Sequence, residues 1–292
     1  RVLSTQPESQ PLRVAVRESG NSVATRFRSV LGGIDQIQQD IDRRVEGSIT
    51  DINNLTHRIG DLNRRIMELE VTNGGNANDE RDARDLALQK LSKIVTVQVT
   101  PIENGGINIS SGKLGVLVNG VEPTEFRTIL GSGVDGASTS LRIHQVGANN
   151  RLGKDVTDYV EGGALGGYMA VREKTIPKLA HEINTMAFQL VKNVNEVHQR
   201  AYGVNGRKGN DFFAPIESVG DAASAMSVSS IINEDAANIG GAYKFHSAGD
   251  NRALLDLADL QDKKIFNRNT ATFTDQAAGT IGAVAVDMKG VN

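Results

Sequence analysis

The sequence has 292 residues, a formal net charge of −3, 39% hydrophobic residues and no cysteine. Because basic side chains are not in excess, a nucleic-acid partner is excluded, and the lack of cysteine excludes disulfides, thiolate metal sites and a cysteine nucleophile. No stretch reaches the ~20 apolar residues of a membrane-spanning helix, and the first ten residues lack the apolar middle of a secretory signal, so we predict a soluble chain without membrane insertion.

The first predicted element is a long helix over residues 23–69. Its apolar residues follow at intervals of three and four, as in an amphipathic helix, with an additional interval of four near Val45. They are Val23, Phe27, Val30, Ile34, Ile37, Ile41, Val45, Ile49, Ile52, Leu55, Ile59, Leu62, Ile66 and Leu69. Gly32 and Gly33 weaken the helix locally, which predicts a possible break there.

Charged residues occupy the other faces of this helix. They are Asp40, Asp42, Arg43, Arg44, Asp61, Arg64 and Arg65. The simplest interpretation is a face in contact with water, and the alternative is a contact between subunits.

The stretch NGGNAND, at residues 73–79, predicts a helix end followed by a helix start. Gly74 or Gly75 would end the first helix, and Asn78 or Asp79 would cap a second one running to about residue 92. Carboxylates in the first turns of that second helix suit the positive end of the helix dipole. Because arginines lie between them and no histidine accompanies them, we do not interpret them as a metal site.

Residues 94–147 change in texture and predict a small β-rich region. The segments IVTVQV, GINIS, LGVLV, FRTIL and LRIHQV alternate or are rich in branched residues, and turn-forming stretches separate them.

A second long helix is predicted over residues 164–201, where apolar residues again recur every three or four positions with Arg172 in one apolar slot. Pro177 should kink this helix or restart it after Thr175. The aromatic pair Phe212–Phe213 must pack against something. Shorter helices are expected over 218–226 and 251–263 and from Asp275 onward.

These elements predict a mainly α protein with a small β-rich insertion, an α+β fold, built as an elongated bundle of long helices. The expected domains are residues 1–93, the first part of a helical bundle; 94–160, the β-rich region; and 161–292, the second part of the same bundle.

Two glycine-rich stretches were weighed as nucleotide-binding loops. Residues 131–136, GSGVDG, have the dinucleotide-binding spacing, but the β-prone segment after them favours a hairpin loop. Residues 162–167, GGALGG, lack the Lys and hydroxyl residue of a phosphate-binding loop. We therefore interpret these glycines as the entry to the second long helix, where they permit a tight turn and a close approach of two backbones.

The remaining polar motifs do not form a catalytic or metal constellation. The five histidines, at 57, 144, 181, 198 and 246, do not have metal-ligand spacing, and His57 and His198 are expected at a surface or interface. The stretch NGRKGND, at 205–211, has too few carboxylates for a calcium loop and predicts a turn. We expect no catalytic residues, no metal site and no cofactor, and hence not an enzyme.

Residues 159–213 resemble the signature region of the flagellar hook-associated protein 1 family, the first hook-filament junction proteins. The resemblance rests on an ordered series: Gly162, Gly163, Leu165, Gly166, Gly167, Arg172, Pro177, Asn195, His198, Asn205, Gly206, Phe212 and Phe213. The stretches from residue 51 to 99 and GDNRALLDLADLQ, at 249–261, are also similar to that family.

The resemblance implies a structural component of the bacterial flagellum that works by packing of subunits. Its expected partners are the flagellar hook protein, the second hook-filament junction protein, further copies of itself in a ring and an export chaperone. The implied location is extracellular, after export through the flagellar type III secretion channel. The alternatives are another axial protein, flagellin or the second junction protein, and a nucleotide-binding protein that uses the glycine-rich loops. Relative to the family, the chain is expected to be a middle fragment without the terminal segments.

Overall fold

The computed structural model describes residues 1–73, 76–132, 139–247 and 249–289. By its contacts the chain divides into two compact units. Unit 1 comprises Arg1–Ile37 and Thr175–Gly290, and unit 2 comprises Gln38–Lys174. The molecule is 60% helical with a small antiparallel sheet insertion, which confirms the predicted α+β class.

The helices occur before and after a continuous β-rich stretch. They are α1 Val2–Thr5, α2 Gln10–Asn73, α3 Asn78–Ile94, α4 Gly163–Ala170, α5 Ile176–His198, α6 Ala222–Ala225, α7 Ser230–Glu234, α8 Arg252–Asp259 and α9 Phe273–Lys289. A π-helical turn, Val171–Thr175, lies between α4 and α5. None of the helices in the described ranges is long and apolar enough to cross a membrane.

Helix α2 differs from its prediction in three ways. It begins well before Val23, and it continues through Gly32 and Gly33, so the break considered there is absent. The glycines lower helix propensity, but neither has another group within 4 Å of its would-be Cβ, and the helical backbone is kept. Two residues of the predicted apolar stripe, Val30 and Ile37, are exposed.

The start of α3 was only partly predicted. The helix begins at Asn78, but its N-cap residue is Ala77, and no side chain caps it. Neither Asn78 nor Asp79 therefore has the predicted capping role. Gly74 and Gly75, the predicted helix end, lie outside the described residues.

The β-rich stretch forms two antiparallel sheets. Strands β1 Gln98–Pro101, β2 Ile107–Ser111, β3 Gly115–Asn119 and β4 Glu122–Pro123 form one sheet in that order. Strands β5 Glu125–Ser132, β6 Thr139–Val146 and β7 Leu152–Asp155 form the other. The first predicted strand was placed too early, because residues up to Ile94 continue α3, and the short β4 and β7 were missed.

The core of unit 2 is aliphatic and joins the helices to the sheets. It includes Ile49, Ile52 and Ile59 of α2, Leu91 of α3 and Ile109 of β2, all buried. Further members are Leu117 of β3, Phe126 of β5, Leu141 and Ile143 of β6, and Leu165 and Met169 of α4. The apolar stripe predicted for the second half of α2 therefore covers the sheets.

The core of unit 1 gathers around the aromatic pair Phe212–Phe213. Both rings are buried with Ala24 of α2, Val191 of α5 and residues of the segment 222–254. Pro177 is at the first turn of α5, as predicted for a helix that restarts after Thr175. The helix expected over 218–226 shortens to the single turn α6, and the one expected over 251–263 shortens to α8.

The contact-based units and the predicted domains have different boundaries. The sheets pack on the second half of α2, on α3 and on α4, so the chain divides at 37/38 and 174/175 rather than at 93/94 and 160/161. A sequence change in texture marks the start of strands, whereas a compact unit is defined by what those strands cover. That residues 1–93 and 161–292 form one discontinuous bundle stays a prediction.

Candidate functional site

The glycine-rich stretch 162–167 is a turn pressed against the end of α3. Gly162 and Gly163 have φ angles of 70° and 61°, in the left-handed region that favours glycine. A Cβ on Gly163 would lie 2.4 Å from the Ile94 carbonyl oxygen, and one on Gly162 would lie 2.1 Å from Thr96 Oγ1. The predicted tight turn and close approach of two backbones are both present.

This geometry leaves little room for a phosphate at the turn. The space next to Gly163 is filled by the backbone of residues 94–95, and the Gly166 amide donates to the Gly162 carbonyl at 3.1 Å. Of the other glycine-rich stretch, 131–136, residues 133–136 lie outside the described residues. The strands on either side, β5 and β6, pair in antiparallel register up to Ser132 and Thr139.

Arg172, the charged residue in an apolar slot, forms a buried ion pair in unit 2. Its Nε donates to Asp42 Oδ1 of α2 at 2.6 Å, and Nη1 donates to Glu173 Oε1 at 2.6 Å. Arg172 and Asp42 are 5% and 7% exposed. The interpretation of Asp42 as part of a water-facing charged surface is therefore wrong, because Asp42 supplies the counter-charge for Arg172. Its predicted companions Asp40, Arg43, Arg44, Asp61, Arg64 and Arg65 are exposed.

Asn63 of α2 and Arg84 of α3 hold the turns of the first sheet. The amide of Asn63 donates to the carbonyls of Ile107 and Gly120 at 2.8 and 2.6 Å. Arg84 Nη1 donates to Asn63 Oδ1 at 3.0 Å and to the Gly105 carbonyl at 2.8 Å. Both side chains are buried, and burial lowers the pKa of Arg84. The acidic start of α3 is thus interrupted by an arginine for a structural reason.

Asn53, ten residues before Asn63 on α2, binds the second sheet in the same manner. Its Nδ2 donates to the Phe126 carbonyl at 2.8 Å, and its Oδ1 accepts from the Phe126 amide at 2.9 Å. The side-chain amide thus replaces a neighbouring strand at the outer edge of β5. A backbone donor and acceptor of a buried residue are thereby satisfied.

Asn195 of α5 binds the backbone of the aromatic pair in unit 1. Its Oδ1 accepts from the amides of Phe212 and Phe213 at 3.1 and 3.0 Å, and its Nδ2 donates to the Phe213 carbonyl at 2.9 Å. The Phe212 ring packs over Gly20 of α2, where a Cβ would lie 2.7 Å from the ring atom Cε1. The sequence series from Asn195 to Phe213 therefore describes one packed unit.

His198 follows one helical turn later and is also buried, at 1% exposed. Its Nδ1 lies 2.7 Å from the Asn210 carbonyl oxygen, and its Nε2 accepts from the Gly240 amide at 2.8 Å. Burial lowers its pKa, against the opposing effects of the Asn210 carbonyl and of Asp211. The surface or interface position expected for His198 is wrong, since a histidine beside an apolar stripe becomes a core residue when both ring nitrogens find backbone partners.

The later motif GDNRALL closes a loop. Asp250 accepts hydrogen bonds from the backbone amides of Tyr243 and Lys244 and from the Arg252 guanidinium. These bonds, led by that from Arg252, hold the pKa of Asp250 well below its usual range. The Tyr243 hydroxyl donates to Asp256 of α8. Burial first, and this bond second, raise the pKa of Tyr243 to about 12.

The other candidate groups are separate from one another. His57 is half exposed and lies 2.9 Å from Glu125 Oε1, as expected for a surface residue, and His144, His181 and His246 are not in the core. Within the described ranges no cluster of three His, Asp or Glu side chains could hold a metal ion. The stretch 205–211 is a turn, with φ angles of 78° at Gly206 and 84° at Gly209.

A cavity of about 310 Å³ in unit 1 does not add a reactive site. Arg13, Tyr202, Lys244, His246 and Asp250 are among its lining residues. The Arg13 guanidinium binds the carbonyls of Pro7 and Ile239, and Asp250 is committed to its loop. Chemically, the polar groups of this region bind backbone.

Sequence reasoning identified Asn195, His198 and Arg172 only through the resemblance, and it missed Asn53, Asn63 and Asn184. Asn184 repeats the pattern, because it donates to the Gly220 carbonyl and accepts from the Ala223 amide. An asparagine next to an apolar helix stripe was the available signal, since buried asparagines must satisfy both amide groups.

The fold and these buried contacts define a class: a helical α+β scaffold whose internal polar groups hold backbone segments in place. Comparison with known proteins then assigns the family. The family model described as the flagellar hook-associated protein FlgK helical domain matches residues 1–213. The chain therefore belongs to the flagellar hook-associated protein FlgK family, as the resemblance implied, and not to flagellin or the second junction protein.

Individual relatives agree with this assignment. The chain is 26% identical to flagellar hook-associated protein 1 of Bacillus subtilis over 99% of its own length and 62% of that protein. It is 25% identical to flagellar hook-associated protein 1 of Salmonella typhimurium over 73% of this chain and 38% of that protein. The chain thus spans less than two thirds of these relatives.

A solved structure has the same fold. The flagellar hook junction protein FlgK from Burkholderia pseudomallei superimposes with a TM-score of 0.83, covering 99% of this chain and 88% of that chain, at 14% identity.

Proposed function

We propose that the chain is a structural component of the bacterial flagellum, an adaptor at the junction of hook and filament that works by packing against other subunits and not by catalysis. The observation that carries the proposal is the family match over residues 1–213. The site geometry supports it, because Asp42, Arg172, Asn195 and His198 are engaged with one another or with backbone.

The proposed partners are the flagellar hook protein, the second hook-filament junction protein and further copies of the chain in a ring. Exposed charges on α2, among them Arg43, Arg44, Asp61 and Arg64, could set the register between neighbours, since charge complementarity contributes more to specificity than to affinity. An export chaperone, passage through the flagellar type III secretion channel and an extracellular position complete the proposal. The names of the relatives support a place in the flagellum.

Deletion of the gene tests the location. Electron microscopy of the deletion strain should show hooks without filaments, and the full-length gene supplied in trans should restore filaments. Hooks that carry normal filaments in the deletion strain would contradict the junction role.

Crosslinking tests the packing. Because the chain has no cysteine, a single introduced thiol is specific. Val30→Cys and Ile37→Cys place thiols at exposed apolar positions of α2, and Leu86→Cys provides an exposed position on α3 as the matched control. Subunit packing along α2 predicts dimer crosslinks in isolated flagella for the α2 variants and few for the control. Equal yields at all three positions would argue against a defined interface on α2.

Calorimetry with ATP, NAD and phosphate tests the alternative class. The filled space beside Gly163 predicts no saturable heat. Binding with a stoichiometry of one ligand per chain would contradict the structural role of these glycines.

A further inference from the structure

The His198 ring joins three parts of unit 1. It is at the end of α5, its Nδ1 faces the Asn210 carbonyl at 2.7 Å, and its Nε2 faces the Gly240 amide at 2.8 Å. A carbonyl can only accept and an amide N–H can only donate. The ring is therefore neutral, with its proton on Nδ1. We call this arrangement the His198 bridge.

The segment that the bridge holds has few other attachments. Beside Gly240, the Ile239 carbonyl accepts from Arg13 at 2.5 Å, and the Gly241 amide donates to the Tyr202 carbonyl at 3.0 Å. Tyr202 in turn donates to the Ala242 carbonyl at 2.7 Å. Residues 236–242 are thus tied to α2 and to the end of α5 by a small set of backbone bonds.

Two charged side chains face the ring. Arg13, from α2, opposes a positive imidazolium, and Asp211, from the segment after α5, favours it. The Phe212 ring packs edge-on at 5.7 Å between ring centres. The segment from Ala236 to Gly241 contains no titratable side chain. A proton on Nε2 would therefore enter a buried space with one unfavourable and one favourable charge, and its N–H would point at the Gly240 N–H.

We propose that the His198 bridge is a pH-sensitive latch: protonation of Nε2 in mildly acidic solution releases residues 236–242 from the end of α5 and loosens unit 1. Protonation removes the acceptor of the Gly240 amide and puts two donors face to face. The inference stands on the geometry of the bridge and is independent of the proposed place in the flagellum.

The sign of the effect follows from the folded and unfolded states. The unfolded chain protonates His198 near its ordinary pKa of 6.5. The folded chain protonates it only at lower pH, so below 6.5 the unfolded or opened state binds more protons. Stability of the bridge is complete above pH 6.5 and falls as the pH decreases through the region below it. His57, in unit 2, is half exposed and faces Glu125, so its protonation does not oppose its contact.

Hydrogen exchange measured by mass spectrometry tests the latch on the full chain. After correction for the chemical exchange rate, the opening constant of peptides covering 236–242 should rise by up to about tenfold per pH unit below 6.5. Peptides of α3 and β2 provide the internal control and should change little. Unchanged opening of 236–242 between neutral and mildly acidic solution would overturn the proposal.

Two variants separate His198 from other acid effects. His198→Gln carries an amide oxygen that can accept from Gly240 but does not titrate, so the opening of 236–242 should lose its pH dependence. His57→Gln, at an exposed histidine, should retain it. A His198→Gln variant with the pH dependence of the original chain would contradict the latch.

If His198→Gln does not fold, NMR of the original chain decides. Long-range nitrogen–proton spectra should show the Nδ1–H tautomer for His198 and a pKa below 6.5. An Nε2–H tautomer or an ordinary pKa would overturn the proposal.

Discussion

Arg172 and Asp42 form an ion pair that is almost completely removed from water, with Nε and Oδ1 2.6 Å apart. Arg172 lies in the π-helical turn after α4, and Asp42 lies on α2. The extra residue of a π turn changes which side chains face the neighbouring helix, and π turns often occur where a side chain needs a special position. The pair therefore connects two elements 130 residues apart in sequence.

Removing one partner of this pair should strongly destabilise unit 2. Arg172→Met leaves the Asp42 carboxylate buried without its counter-charge, and we expect a loss of about 3–5 kcal/mol in the free energy of unfolding. Urea unfolding followed by circular dichroism measures the loss. The double variant Arg172→Met with Asp42→Leu should recover much of it, because two apolar side chains do not need a counter-charge.

The matched control is Arg64→Ala on the same helix. Arg64 pairs with Asp61 at 3.2 Å, and both side chains are more than half exposed. Exposed pairs contribute little, so the loss should be below about 1 kcal/mol. Similar losses for Arg172→Met and Arg64→Ala would show that burial does not govern the strength of these pairs.

Gly163→Ala should destabilise the turn into α4. The left-handed φ of 61° alone makes a Cβ cost about 1–2 kcal/mol, and the collision with the Ile94 carbonyl adds to it. Thermal unfolding should show a lower Tm. Gly166→Val should also disturb the turn, because a Cβ there lies 3.0 Å from the Glu161 carbonyl carbon.

A glycine without neighbours provides the opposite expectation. Gly47→Ala lies within α2, with no group within 4 Å of the added Cβ. Helix propensity predicts a stabilisation of about 0.5–1 kcal/mol. A decrease in Tm for Gly47→Ala as large as that for Gly163→Ala would contradict the role given to the turn.

Gly20 is required because the Phe212 ring lies against it. Gly20→Ala forces a contact of 2.7 Å with Cε1 of a buried ring, and overpacking of this kind costs about 1–3 kcal/mol. Combined with Phe212→Leu, the substitution should cost less than it does alone, and a double-mutant cycle measures the coupling. Gly33→Ala on the same helix, in open space, should be stabilising. Strict additivity of the Gly20 and Phe212 substitutions would refute the contact.

Tyr243 should ionise near pH 12 rather than near 10. Because the folded state keeps the proton longer than the unfolded state, stability falls as the pH rises from 10 towards 12. Phenolate absorbance during an alkaline titration measures the step, and Tyr243→Phe identifies it. Asp256→Asn should lower the pKa only in part, since burial is the larger cause. A Tyr243 step near pH 10 in the folded chain would contradict the prediction.

Periodicity and glycine placement were predictive where the structure depends on local geometry. The apolar stripe of α2, the restart of the helix at Pro177 and the tight turn at Gly162–Gly163 follow from the helical period and from the φ angles that each residue allows. The family was predicted from an ordered series of residues, and the family match confirms it. By contrast, Asp42 was predicted to face water, because a helix period places a residue on a face without saying what packs against that face.

The sequence by itself determined the α+β class, the order of its long helices and strands, and the family. Only the tertiary structure decided which polar residues are buried and what they bind. Asn53, Asn63 and His198 have ordinary sequence neighbours, and their partners are backbone groups between 42 and 73 residues away. Hydrogen bonds between distant segments depend on the folded geometry, whereas helix period and glycine conformation depend on the adjacent residues alone.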